Sequence, residues 1–188
     1  QRLYATPTGR VLPAIQQRLT QGGIDLNPSQ WQAWEDSLSR RLQLVWGPPG
    51  TGKSSTLRAV LLGALHEAAA RGVPARILIS GPTYEAIDNV LLRVADDLTQ
   101  GSLALPQVTI ARLRSSSRVA SPRVPPAIDV VTGTPQHSQL TARLQGNQGL
   151  TLVGGTVHQV HRLLDAAGSP VTPLFDLIVL DEASQLDV

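Results

Sequence analysis

Gly47, Pro48, Pro49, Gly50, Thr51, Gly52, Lys53 and Ser54 stand in a row and bring together three glycines, an ammonium and two hydroxyls. Gly-x-x-x-x-Gly-Lys-Ser is the spacing of a phosphate-binding loop when a strand leads in and a helix leads out. The chemistry is anion capture by backbone N–H groups at a helix start. Pro48 and Pro49 carry no N–H, so the cradle must use the amides from Gly50 to Ser55. Gly50 and Gly52 let the backbone approach a phosphate without a Cβ in the way. The pattern aims Lys53 at β- and γ-phosphates and gives the Ser54 hydroxyl to Mg²⁺. A plain turn would need the glycines and prolines alone; the agreement of strand, lysine, serine and helix favours a Mg-nucleotide such as ATP.

Lys53 is the only lysine, against 15 arginines. A compact ammonium on a flexible stem suits a point contact to phosphate, which a planar guanidinium does not reproduce. A preference for arginine codons explains the excess of arginine, but not why one lysine survives inside this loop.

A second chemical cluster follows the apolar run from Phe175 to Leu180, where Asp181 and Glu182 stand side by side. Ligands in open α/β sheets bind outside the carboxyl ends of the strands. Asp181 there is a candidate to hold Mg²⁺ through water, and Glu182 to polarise an attacking water. Such a pair can also be a polar strand cap; its place after a phosphate loop favours the catalytic reading.

These groups need a scaffold, and the apolar pattern supplies one. Leu42 to Trp46 reads as a short strand running into the loop. From Ser54 a helix buries Leu57, Val60, Leu61, Ala64, Leu65 and Ala68 and ends at Gly72. Ile77 to Ile79 is a second strand. Ile87, Val90, Leu91, Val94 and Leu98 mark a helix after Gly81-Pro82-Thr83. Val108 and Ile110 mark a third strand, Leu150 to Val153 a fourth, and Phe175 to Leu180 a fifth. Val157, Val160 and Leu164 suit a short helix. Asn27 and Pro28 start another helix, with Trp31, Trp34 and Leu38 on its apolar face. Alternating strands and helices imply an α/β fold with a mainly parallel sheet flanked by helices.

Residues 1–26 read as an irregular or partly helical lead-in, and 27–188 as the nucleotide-binding domain. Residues 113–149, rich in Ser, Pro, Gly, Gln and Thr, read as a long insertion or loop region, with a possible strand at Ala127 to Thr132. Between Arg112 and Gln148 five arginines face Asp129 alone, a local basic balance that points weakly to nucleic acid. A solvated loop is the alternative.

Composition narrows the classes. The 188 residues hold no cysteine, so disulfides and thiolate chemistry are excluded. No apolar run approaches the roughly 20 residues of a membrane span, and no signal-peptide pattern opens the chain, so a soluble cytoplasmic location is expected. The absence of methionine, even at position 1, suggests a piece of a longer protein. His158 and His161 stand three apart on a predicted helix, but with no third ligand apparent they and His137 read as surface or packing residues.

Across most of its length the chain resembles superfamily 1 nucleic-acid helicases, in the branch of the nonsense-mediated-decay RNA helicase. The carrying strings are Leu26-Asn27-Pro28-Ser29-Gln30, the loop Gly47–Ser54, Gly81-Pro82-Thr83-Tyr84, Gly154-Gly155-Thr156 and Asp181-Glu182-Ala183-Ser184-Gln185. The resemblance implies a RecA-like P-loop domain, incomplete at its C-terminus, with a second RecA-like domain missing. It implies that Gln30 reads the adenine edge, although Gln30 also stands where a capping-box glutamine would. Thr83 and Thr156 would touch single-stranded DNA or RNA, and Gln185 would couple the γ-phosphate to the strand. Tyr84 departs from the family's frequent asparagine; it could stack on a base or pack on the sheet. Thr156 could equally cap a helix. The expectation is an ATP-binding fragment of an ATP-dependent helicase or translocase, with little hydrolysis and no unwinding alone. A non-catalytic nucleotide-binding or interaction module, or a P-loop ATPase that ignores nucleic acid, are the alternatives.

Overall fold

The computed structural model describes residues 11–48, 50–99, 101–105, 108–115, 127–146, 148–168 and 173–185. Five strands form one sheet: β1 (Ala75–Gly81), β2 (Val108–Arg114), β3 (Ile128–Thr132), β4 (Leu150–Thr156) and β5 (Leu177–Leu180). Their order is β3-β2-β4-β1-β5, and every neighbouring pair is parallel. Parallel strands covered on both faces read as continuous apolar runs, as Ile77, Leu78 and Ile79 do in β1.

The described residues form six α-helices, α1 (Val11–Gln21), α2 (Pro28–Ser39), α3 (Lys53–Arg71), α4 (Tyr84–Thr99), α5 (Gly133–Gln145) and α6 (Val157–Ala167); α3 to α6 pack on the sheet, and α1 and α2 pack on α3. Helices α1 to α4 share one apolar cluster with Ile77, Ile79, Ile110 and Leu152; α5 and α6 share the other with Leu78, Leu113 and Val153. Alternate residues of one strand thus serve opposite layers, as the two-residue period of a strand requires. The most enclosed helix is α3, where Leu61, Leu62 and Leu65 are fully buried. It stops at Gly72, whose left-handed backbone (φ 62°) lets its N–H close on Ala68 and Ala69 carbonyls.

Two charge pairs fix elements that carry site residues. The Arg76 guanidinium on β1 makes two hydrogen bonds to Asp176, at 2.9 and 2.7 Å, and the Arg76 backbone N–H donates to the same carboxylate. This holds the entry to β5, and the hydrogen bonds to Asp176 raise the arginine's pKa. Arg58 on α3 makes a second forked pair with Asp97 on α4.

Leu42 to Trp46 does not join the sheet. Among the described residues the segment has no ladder partner, and Leu42, Leu44 and Trp46 are 77%, 82% and 90% exposed. Its apolar content fits a strand, but a strand exists only through pairing. Among the described residues β5 is the last strand of the sheet and has no partner on its outer side, and its Ile178 and Leu180 are also exposed. Within 113–149, residues 127–146 form β3 and α5, with His137, Leu140, Thr141 and Leu144 buried at helical spacing. Residues 116–126 lie outside the described residues. In the lead-in, α1 buries Leu12, Ile15 and Leu19 in the same cluster as α3.

The core also carries a titration. His66 on α3 is 2% exposed, and burial, followed by the positive charge of Arg18, lowers its pKa from 6.5 to about 4. A folded-state pKa below the unfolded one means stability is complete above pH 6.5 and is lost as pH falls towards 4. The loss expected over that window is about 2–3 kcal/mol. Burial lowers His137 as well, whereas Glu67 is raised, so its contribution has the opposite sign and grows at lower pH. Urea titrations from pH 7 to pH 4 should show a falling midpoint in the native chain and a flatter profile in His66→Leu.

Candidate functional site

The loop from Gly47 to Ser54 is folded around its lysine. Lys53 Nζ donates to the carbonyls of Gly47 (2.6 Å) and Pro48 (3.0 Å). The Thr51 hydroxyl and N–H also donate to the Pro48 carbonyl, at 2.8 and 3.4 Å. Gly50 and Gly52 both take φ of 81°, a conformation that would strain any residue with a Cβ. Gly52 is the N-cap of α3, and the first backbone bond of the helix is Thr56 N–H to the Gly52 carbonyl. The amides of Lys53, Ser54 and Ser55 therefore have no acceptor within the helix. An ammonium with a third N–H to give, beside first-turn amides and the positive end of a 19-residue helix, forms an anion site.

Gln30 closes the loop from the side. Its Oε1 accepts from the Asn27 N–H at 2.8 Å, while the Asn27 side chain accepts from the Gln30 N–H at 3.0 Å. This is the capping box that the sequence suggested. Its Nε2 also donates to the Thr51 carbonyl at 2.8 Å. A Cβ on Gly52 would lie 2.5 Å from that Nε2, so the glycine makes room for the glutamine as well as for its own backbone turn. One Nε2–H and one Oε1 lone pair remain unused in these bonds. The helix bearing Gln30 is held down by Trp34, which is 2% exposed, donates from Nε1 to the Ala59 carbonyl of α3 at 3.0 Å, and meets Trp31 edge-to-face.

Asp181 follows β5 and extends its pairing by donating its N–H to the Ser80 carbonyl at 2.8 Å. Its Oδ1 accepts from the Glu182 N–H at 3.0 Å. Glu182 has φ of 51°, the only described non-glycine residue in the left-handed region. Such strain clusters at working sites. Glu182 and Gln185 are exposed, and the Glu182 carbonyl accepts from the Gln185 N–H at the start of a short 3-10 turn. Among the described residues no hydrogen bond or ion pair joins Asp181 or Glu182 to the loop.

At the carboxyl ends of the next strands stand Thr83 and Thr156. The Thr83 hydroxyl accepts from the Ala86 N–H at 3.2 Å and so caps α4. Thr156 starts α6 but makes no side-chain capping bond. Thr156, for which a cap was the alternative, thus stands at the N-cap position without a capping bond, and the threonine that does cap is Thr83. Tyr84 lies with its ring 5.5 Å from the guanidinium carbon of Arg114. The sequence missed this partner, because Arg112 and Arg114 read as part of a solvated basic stretch. They are 1% and 7% exposed, on the face of β2 opposite Ala111 and Leu113. The signal was there: alternation in Ile110, Arg112 and Arg114 continues the strand's inner face. Arg112 pairs with Asp88, and burial, followed by the charge of Arg114, lowers the Arg112 pKa to about 10. His161 pairs with Asp165 at 3.0 Å, and His137 is buried.

Among the described residues no helix is long and apolar enough to cross a membrane, and no three His, Cys, Asp or Glu side chains cluster to hold a metal. The Ser54 hydroxyl and the Asp181 carboxylate are the groups that could hold a cation here, with phosphate and water as its other ligands. That is the habit of Mg²⁺.

A family model described as an AAA domain matches residues 25–167. The Helicase required for RNAi-mediated heterochromatin assembly 1 of Schizosaccharomyces pombe is 31% identical over 103 residues, 55% of this chain and 9% of that protein. The DNA-binding protein SMUBP-2 of Mesocricetus auratus is 28% identical over 121 residues, 64% of this chain and 11% of that protein. The DNA polymerase alpha-associated DNA helicase A of Saccharomyces cerevisiae is 33% identical over 94 residues, 50% of this chain and 13% of that protein. The chain thus matches about a tenth of the length of these relatives, and they do not single out the nonsense-mediated-decay branch. No solved structure matches it significantly.

Proposed function

Given that this chain belongs to the AAA domain family, in the form of a superfamily 1 helicase motor domain, we propose that it binds Mg-ATP and that the whole protein couples ATP hydrolysis to movement on single-stranded DNA or RNA. The observation that carries this reading is the loop wound around Lys53 beside the open amides of α3. In it, Lys53 contacts the β- and γ-phosphates, and the amides from Gly50 to Ser55 surround them. Ser54 and Asp181 hold Mg²⁺, which would neutralise charge building up between the phosphates. Glu182 orients the attacking water, and Gln185 links this end of the site to the strand.

Gln30 reads adenine with the N–H and lone pair that its cap leaves over. ATP should bind tighter than GTP, and Gln30→Ala, which also removes the bond to the Thr51 carbonyl, should weaken ATP by about five- to tenfold more than it weakens GTP. Equal losses for the two nucleotides in calorimetric titrations would reduce Gln30 to a helix cap. Thr83, Tyr84 and Thr156 form the strand-facing set. Binding to a fluorescein-labelled single strand should weaken steeply with added salt.

A further inference from the structure

The sheet register lines up the strand-facing residues. Gly81 on β1 is level with Thr156 on β4. Arg114 and Thr156 each lie two residues past the registered pair Arg112 and Gly154, so Arg114 continues the same row on β2. Above this row α4 presents Tyr84 and Asp88, four apart and on one helical face. They meet Arg114 and Arg112, two apart on one strand face: Tyr84 lies over Arg114, and Asp88 pairs with Arg112. The two contacts lock the first turn of α4 onto the end of β2.

The result for Tyr84 is an aromatic ring held at three points. Its guanidinium neighbour is 93% buried, its hydroxyl accepts from the Ser115 N–H at 3.1 Å, and its backbone opens a helix already capped by Thr83. The residue is partly buried, neither sealed in the core nor fully open. A ring fixed on a buried cation has little freedom left to lose when something flat settles on it. Arg114, being buried, is not placed to reach a ligand.

We infer that Tyr84 is a stacking platform for one base of the bound strand, and that Arg114 is the positioning residue that sets the plane of the ring. This rests on the strand-binding reading above and sharpens it. The two threonines offer hydroxyls to the sugar-phosphate chain and cannot sense a base, whereas a fixed ring can bind any base without reading its sequence.

The test compares two labelled strands of equal length, a thymidine homopolymer and its abasic counterpart, binding to the full 188-residue chain. The native chain should prefer the base-bearing strand by about five- to tenfold, the low end of one base-aromatic stack. Tyr84→Ala should erase that preference by weakening the base-bearing strand about five- to tenfold more than the abasic one; Tyr84→Trp should keep it. Arg114→Ala should shrink the preference, and Arg114→Lys, which restores the cation, should recover it. In the native chain a 5-iodouracil-bearing strand should photocrosslink to Tyr84. Equal weakening of both strands by Tyr84→Ala, or crosslinks that avoid Tyr84, would overturn the platform while leaving strand binding intact. If the native chain binds neither strand, the strand-binding reading fails, and the platform fails with it.

Discussion

Lys53→Ala is expected to weaken Mg-ATP binding by roughly a hundredfold or more, the scale of losing a charge-assisted contact to phosphate together with the order of the loop. The ammonium does two jobs. It bonds the Gly47 and Pro48 carbonyls, which draws the loop into a ring around it, and it presents its remaining N–H to the anion. Alanine removes both. Lys53→Arg should rescue little, because a planar fork cannot seat its charge between two carbonyls in the same way. The loop is largely exposed, so thermal melting without nucleotide should move little. Isothermal titration with Mg-ATP checks the prediction, and affinity within twofold of the native chain would remove Lys53 from the phosphate site.

The second large effect is on the fold. Trp34→Ala should cost about 3–5 kcal/mol, as deleting a buried tryptophan does. A domain whose whole stability is about 5–15 kcal/mol does not absorb that easily. The indole fills the seam between α2 and α3 so closely that a Cβ on Gly63 would fall 2.5 Å from Nε1. Gly63→Ala should therefore disturb the same seam by overpacking, with a loss of about 1–3 kcal/mol. Urea denaturation reads both variants. Trp34→Ala should also weaken ATP binding, since α2 carries Gln30 to the Thr51 carbonyl. Unaltered nucleotide affinity in a folded Trp34→Ala chain would show that Gln30 reaches the loop without the Trp34 anchor.

Much of this was readable from residue order, because the phosphate loop is local. Its glycines, its lysine and the helix after it are set by neighbours in sequence. The helix end at Gly72 and the strand at Ile77 to Ile79 follow from capping and continuous burial in the same way. What sequence obscured depends on distant partners. Leu42 to Trp46 has a strand's composition, but pairing is decided elsewhere in the chain. The polar character of 133–146 hid a helix whose four buried residues face α6 and β3. Arg112 and Arg114 looked like surface charge until Asp88 and Tyr84, more than 20 residues earlier, came to lie over them. Gln30 posed as two alternatives, and its capping role proved to sit beside a bond to the phosphate loop.

The open side of β5 has a consequence for how the molecule behaves in company. A strand with one satisfied edge offers its other row of N–H and C=O groups to any chain that comes near. Here that row lies on a sheet whose Ile178 and Leu180 are uncovered, in a molecule that also displays Leu42, Leu44 and Trp46. Colloidal behaviour is thereby tied to concentration. Pairing of copies along this seam is the expected outcome at high concentration, which light scattering would read, and a short β-forming peptide should compete for it.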